Sequence, residues 1–347
     1  MASPFFELGK NILASNFNGL SRAYKLTFAI TYCCNARCAT CNIWQRKSEK
    51  ELELNEIDRF FQKNKFSWIN LTGGEPALRE DLSEIIKVIQ NNNPRLYFMN
   101  FTSNGLLPDK LLAAAKAIRA LIRIPKFAIG VSVEGPPEVD LKVRRIPESF
   151  KLSLQSLKGL REIFKGTAYQ PFVSYTISPH NLGRLKETIE AIRAEVPDFG
   201  LTDFHVNLFH FSSHYYGNLA YQLSEGFEAE AIKEIKEYLE SYKVPLNPDT
   251  WIEKKYLQLL VKFLKQQKTP LPCQALRASC YLDPQGNIYP CAMYDKNLGS
   301  VRENEFDLSR FWKSNNFKET RKIIAEYTCP NCWTPCEAYQ TILGNLF

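Results

Sequence analysis

The chain has 347 residues, 45% of them hydrophobic and 23% charged, which is enough apolar side chain for an ordinary globular core. Its net charge of +7 (44 Lys and Arg against 37 Asp and Glu) is spread along the sequence, which excludes the clustered basic face of a nucleic-acid binder. No apolar run reaches the roughly 18 residues of a transmembrane segment; the stretch 111–124 is broken by Lys116, Arg119 and Arg123.

At the N-terminus, Met1-Ala2-Ser3-Pro4 has no basic segment and no small-residue cleavage site follows, so a cytoplasmic chain is expected. Leu8, Ile12, Leu13, Phe17 and Leu20 share one helical face, so 1–24 reads as a helical extension packed on the main domain, in preference to one docked on a membrane surface. From residue 25 apolar runs alternate with amphipathic stretches. Strands are expected at 26–32, 67–72, 96–104, 127–134, 171–178 and 203–209, and helices at 55–64, 81–91, 108–122, 149–164 and 181–194. Such alternation implies βα units, a parallel sheet and right-handed crossovers. No Gly-x-Gly-x-x-Gly follows the first strand, which leaves a dinucleotide site without support.

Strand parity adds a second constraint, because side chains two apart share a face. Thr27 and Thr31, Asn70 and Thr72, Asn100, Thr102 and Asn104, Ser132 and Glu134, Ser174, Thr176 and Ser178, and His205 and Asn207 each fall on one parity. A parallel sheet covered on both faces would be nearly uniformly apolar. One polar face on every strand instead predicts an α/β fold over 25–210: a partial (β/α)6 TIM-like barrel with a polar lumen. Ligands of such barrels sit at the C-terminal strand ends. The loops there are 33–41, Thr72-Gly73-Gly74-Glu75-Pro76, Ser103-Asn104-Gly105 and Val133-Glu134-Gly135-Pro136-Pro137. Gly73 and Gly74 allow close backbone approach to a ligand, and Glu75 offers an acceptor to a cation.

The ten cysteines are segregated: four within 33–41, six within 273–336, none between. Without a secretion signal this pattern points to metal or redox use in a reducing compartment. Cys34, Cys38 and Cys41 stand at a CxxxCxxC spacing, which lets one loop wrap three corners of an iron–sulfur cube and leaves the fourth iron to a small molecule. Cys33 reads as a bystander. Residues 211–268 read as a connector of two helices broken at 244–248, with a solvated charged face. Beyond Pro270-Leu271-Pro272, residues 269–347 read as a small α+β domain, with a hairpin at Gln285-Gly286, a helix near 308–326 and Cys329, Cys332 and Cys336.

CxxxCxxC followed by Gly-Gly-Glu-Pro on the next strand and a cysteine-rich tail with Gly-x4-Cys resembles the radical S-adenosylmethionine (SAM) enzymes, in the SPASM/twitch branch. The resemblance implies that Cys34, Cys38 and Cys41 hold a catalytic [4Fe–4S] cluster whose open iron is chelated by SAM. It further implies that Gly73, Gly74, Glu75 and Pro76 hold the methionyl amino group, that Ser103, Asn104, Ser132 and Glu134 line the SAM pocket, and that Arg144 meets the SAM carboxylate. Thr40 stands where many members have an aromatic residue. Reductive cleavage of SAM to a 5′-deoxyadenosyl radical, abstraction of a substrate hydrogen, and a reductant such as ferredoxin or flavodoxin follow from the same resemblance.

The six tail cysteines are too few for two full clusters, so one auxiliary [4Fe–4S] cluster is expected. Its ligands are left open between Cys273, Cys291, Cys329 and Cys332 and the set Cys273, Cys280, Cys291 and Cys336; a zinc ribbon built from two thiol pairs is the competing use. An electron carrier or redox sensor without SAM chemistry is the competing function. Only 33 residues precede Cys34, short of the N-terminal recognition domain of peptide-modifying relatives, so a small molecule, cofactor precursor, sugar or lipid is expected ahead of a peptide. His205, Asn207 and His210, with His214, Tyr215 and Tyr216 beside them, are the candidate substrate contacts.

Overall fold

The computed structural model of the protein describes residues 3–17, 19–245 and 247–347. In chain order the elements are α1 (Pro4–Asn16), β1 (Lys25–Ala29), α2 (Leu54–Lys63), β2 (Trp68–Thr72), α3 (Leu82–Asn92), β3 (Phe98–Ser103), α4 (Pro108–Leu121), β4 (Lys126–Ser132), α5 (Pro137–Arg144), α6 (Ser149–Phe164), β5 (Gln170–Ile177), α7 (Leu185–Glu195) and β6 (Phe204–Leu208). They continue with α8 (Phe227–Ser241), α9 (Pro248–Gln266), β7 (Ser279–Leu282), β8 (Ile288–Tyr289), α10 (Leu308–Trp312), α11 (Asn315–Ala325) and α12 (Pro335–Leu343). Among the described residues no helix is long and apolar enough to cross a membrane.

Strands β1 to β6 lie side by side in chain order and all run parallel, an order that fits a partial (β/α) barrel. The polar parity is real: Asn100 and Thr102 on β3, Ser132 on β4, Ser174 and Thr176 on β5, and His205 and Asn207 on β6 are half-buried, while Met99, Phe101, Ile129, Val131, Val173, Tyr175 and Val206 between them are buried in the core. Helices start where local chemistry allows. Pro108 and Pro248 occupy the first turns of α4 and α9, where a missing N–H costs nothing, and Asn247 caps α9 by accepting from the amides of Asp249 and Thr250.

Four departures from the sequence reading concern the site. Helix α5 was not expected; only Val139 and Val143 of its apolar residues are buried, too few to give a helical period. Helix α12 begins one residue before Cys336, inside what reads as a ligand loop. The hairpin β7–β8 does form, but β7 pairs in parallel with β1 and extends the barrel's own sheet. The connector (whose Leu246 lies outside the described residues) is no solvated spacer: α9 and α12 press against the polar face. Glu253 of α9 meets the Nδ1 of His205 at 3.2 Å, and Lys25 of β1 donates to the Cys336 carbonyl and, at 2.6 Å, to Gln340 of α12. Helix α1 packs less closely than its pattern implies: Leu13 and Phe17 are exposed, Phe17 stacking on Phe347.

Lys25 is fully buried, with its ammonium 4.3 Å from the Trp68 ring centre. Burial lowers its pKa to about 8, against the pull of Glu337, which Gln340 links to it through a 2.6 Å bond. Removing one partner of a buried charged network leaves the other uncompensated. Lys25→Met is expected to cost about 3 kcal/mol, read as a lowered urea midpoint at pH 7.

Candidate active site

The loop after β1 has little structure of its own, and its shape comes from its neighbours. Gly73 and Gly74 let the β2 loop run against it: the Gly74 N–H donates to Thr31 O at 2.8 Å and the Glu75 N–H to Cys33 O at 2.7 Å. A Cβ at Gly74 would lie 2.1 Å from the Cys33 carbonyl oxygen, and one at Gly73 (φ +142°) 2.3 Å from that of Thr31. The close approach expected of these glycines is therefore to the cysteine loop's own backbone. On the other side the Glu51 carboxylate accepts from the Tyr32 N–H (2.7 Å) and the Thr31 hydroxyl (3.1 Å), and Arg79 donates to Ile30 O (3.1 Å). Neither Glu51 nor Arg79 carried a sequence signal; in Glu49-Lys50-Glu51 the acid looks like part of a solvated run.

Cys34, Cys38 and Cys41 come together. Burial pushes the Cys38 and Cys41 thiols up to about 12, and each of the two is raised further by the charge of other thiols of the motif. Two N–H groups already point at the sulfurs: Asn104 Nδ2 lies 3.9 Å from Cys34 Sγ and the Ile43 N–H 3.5 Å from Cys41 Sγ. A pocket that buries thiols yet supplies donors to their sulfurs suits thiolates neutralised by a bound cation, so the donor set fits an iron–sulfur cluster. Cys33 is exposed and contributes its backbone alone.

Glu75 requires a correction. It is 1% exposed, and its carboxylate accepts from the Ser103 hydroxyl (2.8 Å), the Ala77 N–H (2.9 Å) and the Asn104 N–H (2.5 Å). It buckles the β2 and β3 loops together and does not stand free for a cation. Arg144, also buried, donates to Ser132 O (2.6 Å), the Ser153 hydroxyl (3.0 Å) and Asn104 O. Its place is fixed by carbonyls at two strand ends. Glu134 is half-buried at the end of β4; burial raises its carboxyl to about 7, Arg144 opposing and Asp140 reinforcing the shift. Its N–H is held by Asp140 at 2.7 Å.

In the tail, Cys273, Cys329, Cys332 and Cys336 each lie within electrostatic reach of Cys291. A hydrogen bond with Cys332 and burial raise the Cys291 thiol, and burial raises Cys273, which also feels Cys291 and Cys329. The Ala275 N–H lies 3.4 Å from Cys273 Sγ. Cys280 sits on β7 opposite Leu26, buried, its thiol feeling Glu337 and no other cysteine. Cys336, at the start of α12, is raised by burial, lowered by Lys25 and raised by Glu337 and Cys291.

The candidate substrate residues separate. His205 stays half-buried on the polar face; burial opposes its charge, but Glu253 raises its pKa. Asn207 donates to the Ser174 hydroxyl at 2.9 Å. His210 is a correction: it is buried, with Nδ1 2.8 Å from Leu208 O and Nε2 accepting from the Trp333 N–H at 3.0 Å, so both nitrogens serve the fold. His214 likewise meets Cys291 O at 3.1 Å.

Sheet, cysteine loop and cysteine-rich tail together are those of an iron–sulfur enzyme built on a parallel α/β sheet. The radical SAM superfamily profile matches residues 28–192 and that of the SPASM iron–sulfur cluster-binding domain residues 273–333; the chain belongs to the radical SAM superfamily, with a SPASM-type C-terminal domain. It is 36% identical over 120 residues to a GTP 3′,8-cyclase of Pasteurella multocida, covering 33% of this chain and 35% of the cyclase. It is 23% identical over 334 residues to the mycofactocin maturase MftC of Mycobacterium ulcerans, covering 91% and 81%, and 19% identical to an AdoMet-dependent heme synthase of Oleidesulfovibrio alaskensis, covering 88% and 79%. The chain thus spans about a third of the length of that cyclase. Among solved structures, Streptococcus suis SuiB bound to S-adenosylmethionine superposes with a TM-score of 0.61 at 12% identity, covering 92% of this chain and 72% of SuiB; anSMEcpe with bound AdoMet gives 0.59 at 15%, covering 86% and 84%.

Two outcomes follow. Gly74→Ala should lower iron incorporation at the first site severalfold, measured as iron per chain and visible absorbance, since its Cβ cannot coexist with the Cys33 carbonyl. Burial lowers the His210 pKa to about 4 from 6.5, so the folded chain binds fewer protons than the unfolded one between those values. Stability should therefore fall as pH drops from 6.5 to 4, by up to about 3 kcal/mol from this group, and urea melts of His210→Asn should show a shallower decline.

Proposed function

We propose that the protein reductively cleaves SAM and uses the resulting radical to take a hydrogen atom from a substrate held in the lumen. The observation that carries this reading is the convergence of three, and not four, thiols at the strand ends, beside a loop pinned by Gly73 to Glu75. Cys34, Cys38 and Cys41 would hold a [4Fe–4S] cluster with one iron open. The chemistry supplied when cluster and SAM are bound is transfer of one electron into the sulfonium, giving methionine and a 5′-deoxyadenosyl radical. The residues of this chain have the remaining tasks of binding, orientation and exclusion of water.

In this reading Glu75 is a positioning residue, fixing Ser103 and Asn104 at the mouth of the SAM pocket. Asn104 donates toward Cys34 and would tune the cluster. Arg144 contributes fixed positive charge to that mouth, and Ser132 and Glu134 line it, with Glu134 available to a cationic amino group. The auxiliary cluster would be held by Cys273, Cys291, Cys329 and Cys332, leaving Cys280 in the core and Cys336 at the head of α12; the contact of Cys291 with Cys332 supports this set. Its role would be electron transfer or substrate binding.

The test is anaerobic. Reconstituted, dithionite-reduced protein mixed with SAM is expected to yield 5′-deoxyadenosine and methionine, and Cys38→Ala to yield neither; a loaded protein that makes no 5′-deoxyadenosine above background leaves an electron carrier as the reading. Iron analysis addresses the ligand set separately: about eight irons per chain are expected, about four after Cys329→Ala with Cys332→Ala, and an unchanged count after Cys280→Ala.

A further inference from the structure

Atoms that the fold leaves without partners say what kind of substrate the lumen takes, an inference that rests on the radical SAM reading. Strand register brings three of them to one level. Thr27 on β1 pairs with Tyr281 on β7 and, on its other side, with Asn70 on β2, which pairs with Asn100 on β3. Paired residues on neighbouring strands project to the same face, so all four belong to the polar face. Asn70 is occupied, its Oδ1 accepting from Trp68 Nε1 at 2.7 Å. The Tyr281 hydroxyl, Thr27 Oγ1 and Asn100 Oδ1 are each buried with no partner. Thr27 is 1% exposed and Tyr281 0%, whereas Asn100 is half-buried as a residue with its Oδ1 buried.

Unmatched buried polar atoms are uncommon, and each destabilises the fold unless something outside it supplies the bond. Two on neighbouring strands, β7 and β1, and a third at the same register on β3, beyond Asn70 of β2, make a constellation. The Tyr281 ring is held by aromatic neighbours, with centroids at 5.7 Å (His214), 5.8 Å (Tyr215) and 6.1 Å (Tyr289). Tyr215 in turn bonds the Thr72 hydroxyl (2.7 Å) and Gly73 O (3.3 Å), which ties this level to the loop at the cysteine site.

Hydrogen-bonding capacity narrows the ligand. On the polar face Lys25 is engaged by Gln340 and the Cys336 carbonyl, Lys126 by Asp249, and His205 by Glu253. Lys126 and His205 thus face carboxylates, whereas Lys25 meets only a neutral amide and a carbonyl and keeps its charge. Asn100 Oδ1 can only accept a hydrogen bond, while the Thr27 and Tyr281 hydroxyls can give or accept one. We propose that Tyr281, Thr27 and Asn100 recognise the substrate through a hydroxyl or amide group that can both give and accept hydrogen bonds. The C-terminal segment thus supplies one wall of the substrate site, through Tyr281.

Thermal melts of the cluster-loaded protein without substrate test the recognition. Thr27→Val and Tyr281→Phe remove a hydroxyl at nearly constant shape, and Asn100→Leu removes the acceptor at an independent position should either of the others fail to fold. Melting temperatures equal to or above that of the unaltered protein are expected, the signature of groups kept for a ligand and not for the fold. A fall of about 4 °C or more in these variants means that a bound water or a side chain already satisfies the groups, and overturns the proposal. Absence of 5′-deoxyadenosine under every condition would remove the SAM reading alone; the melts still decide whether the three groups are free.

Discussion

The contact between the backbone at 31–33 and the backbone at 73–75 is the constraint on which the rest of the site depends. A loop that must present three thiols cannot spend its own backbone on helix or sheet, so its shape has to be imposed from outside. Two residues without a Cβ allow it, since the Gly74 and Glu75 amides reach Thr31 and Cys33 carbonyls that any larger residue would push away. The order then propagates sideways along the strand ends. Glu75 grips Ser103 and Asn104, and Arg144 grips Asn104 and Ser132, so the C-terminal ends of β2, β3 and β4 are cross-linked by buried hydrogen bonds. Charged groups in such places are costly unless every lone pair and proton is used, and here most are used by backbone.

The cysteine-rich tail is built into the barrel. Its strand β7 continues the sheet at β1, its helix α12 takes the buried ammonium of Lys25, and Tyr281 faces the same lumen as Thr27. The cysteine-rich tail and the polar lumen therefore share walls. His214 illustrates the economy of the arrangement: one edge bonds the Cys291 carbonyl while its ring stacks on Tyr289 at 4.4 Å, inside the cage around Tyr281.

Much of the fold was legible because its signals are local. The six parallel strands and the five expected helices between them announce themselves by a period of two or of 3.6, and the polar parity of residues such as Asn100, Ser174 and Asn207 survives folding unchanged. Two helices were not legible. In α5 the buried residues are too sparse to set a period, and in α12 the spacing of Cys332 and Cys336 competes with the helical pattern. The site divides the same way. The three cysteines are given by covalent spacing, whereas Glu75, read as an acceptor for a ligand, is consumed by Ser103 and Asn104 nearly thirty residues on. His210 looked available for the same reason: its partner, the Trp333 amide, is 123 residues away.

The sequence by itself determined the chemistry and the class of scaffold: which residues can bind iron, how many per loop, and that each strand keeps one polar face. Those properties are set within a few bonds or a few turns. Only the tertiary structure decided which polar groups are spent on the fold and which are left over, and how β7 and α12 complete the lumen. The reason is that hydrogen-bond saturation is a property of pairs, and the deciding partners here lie on elements that the chain brings together only when folded.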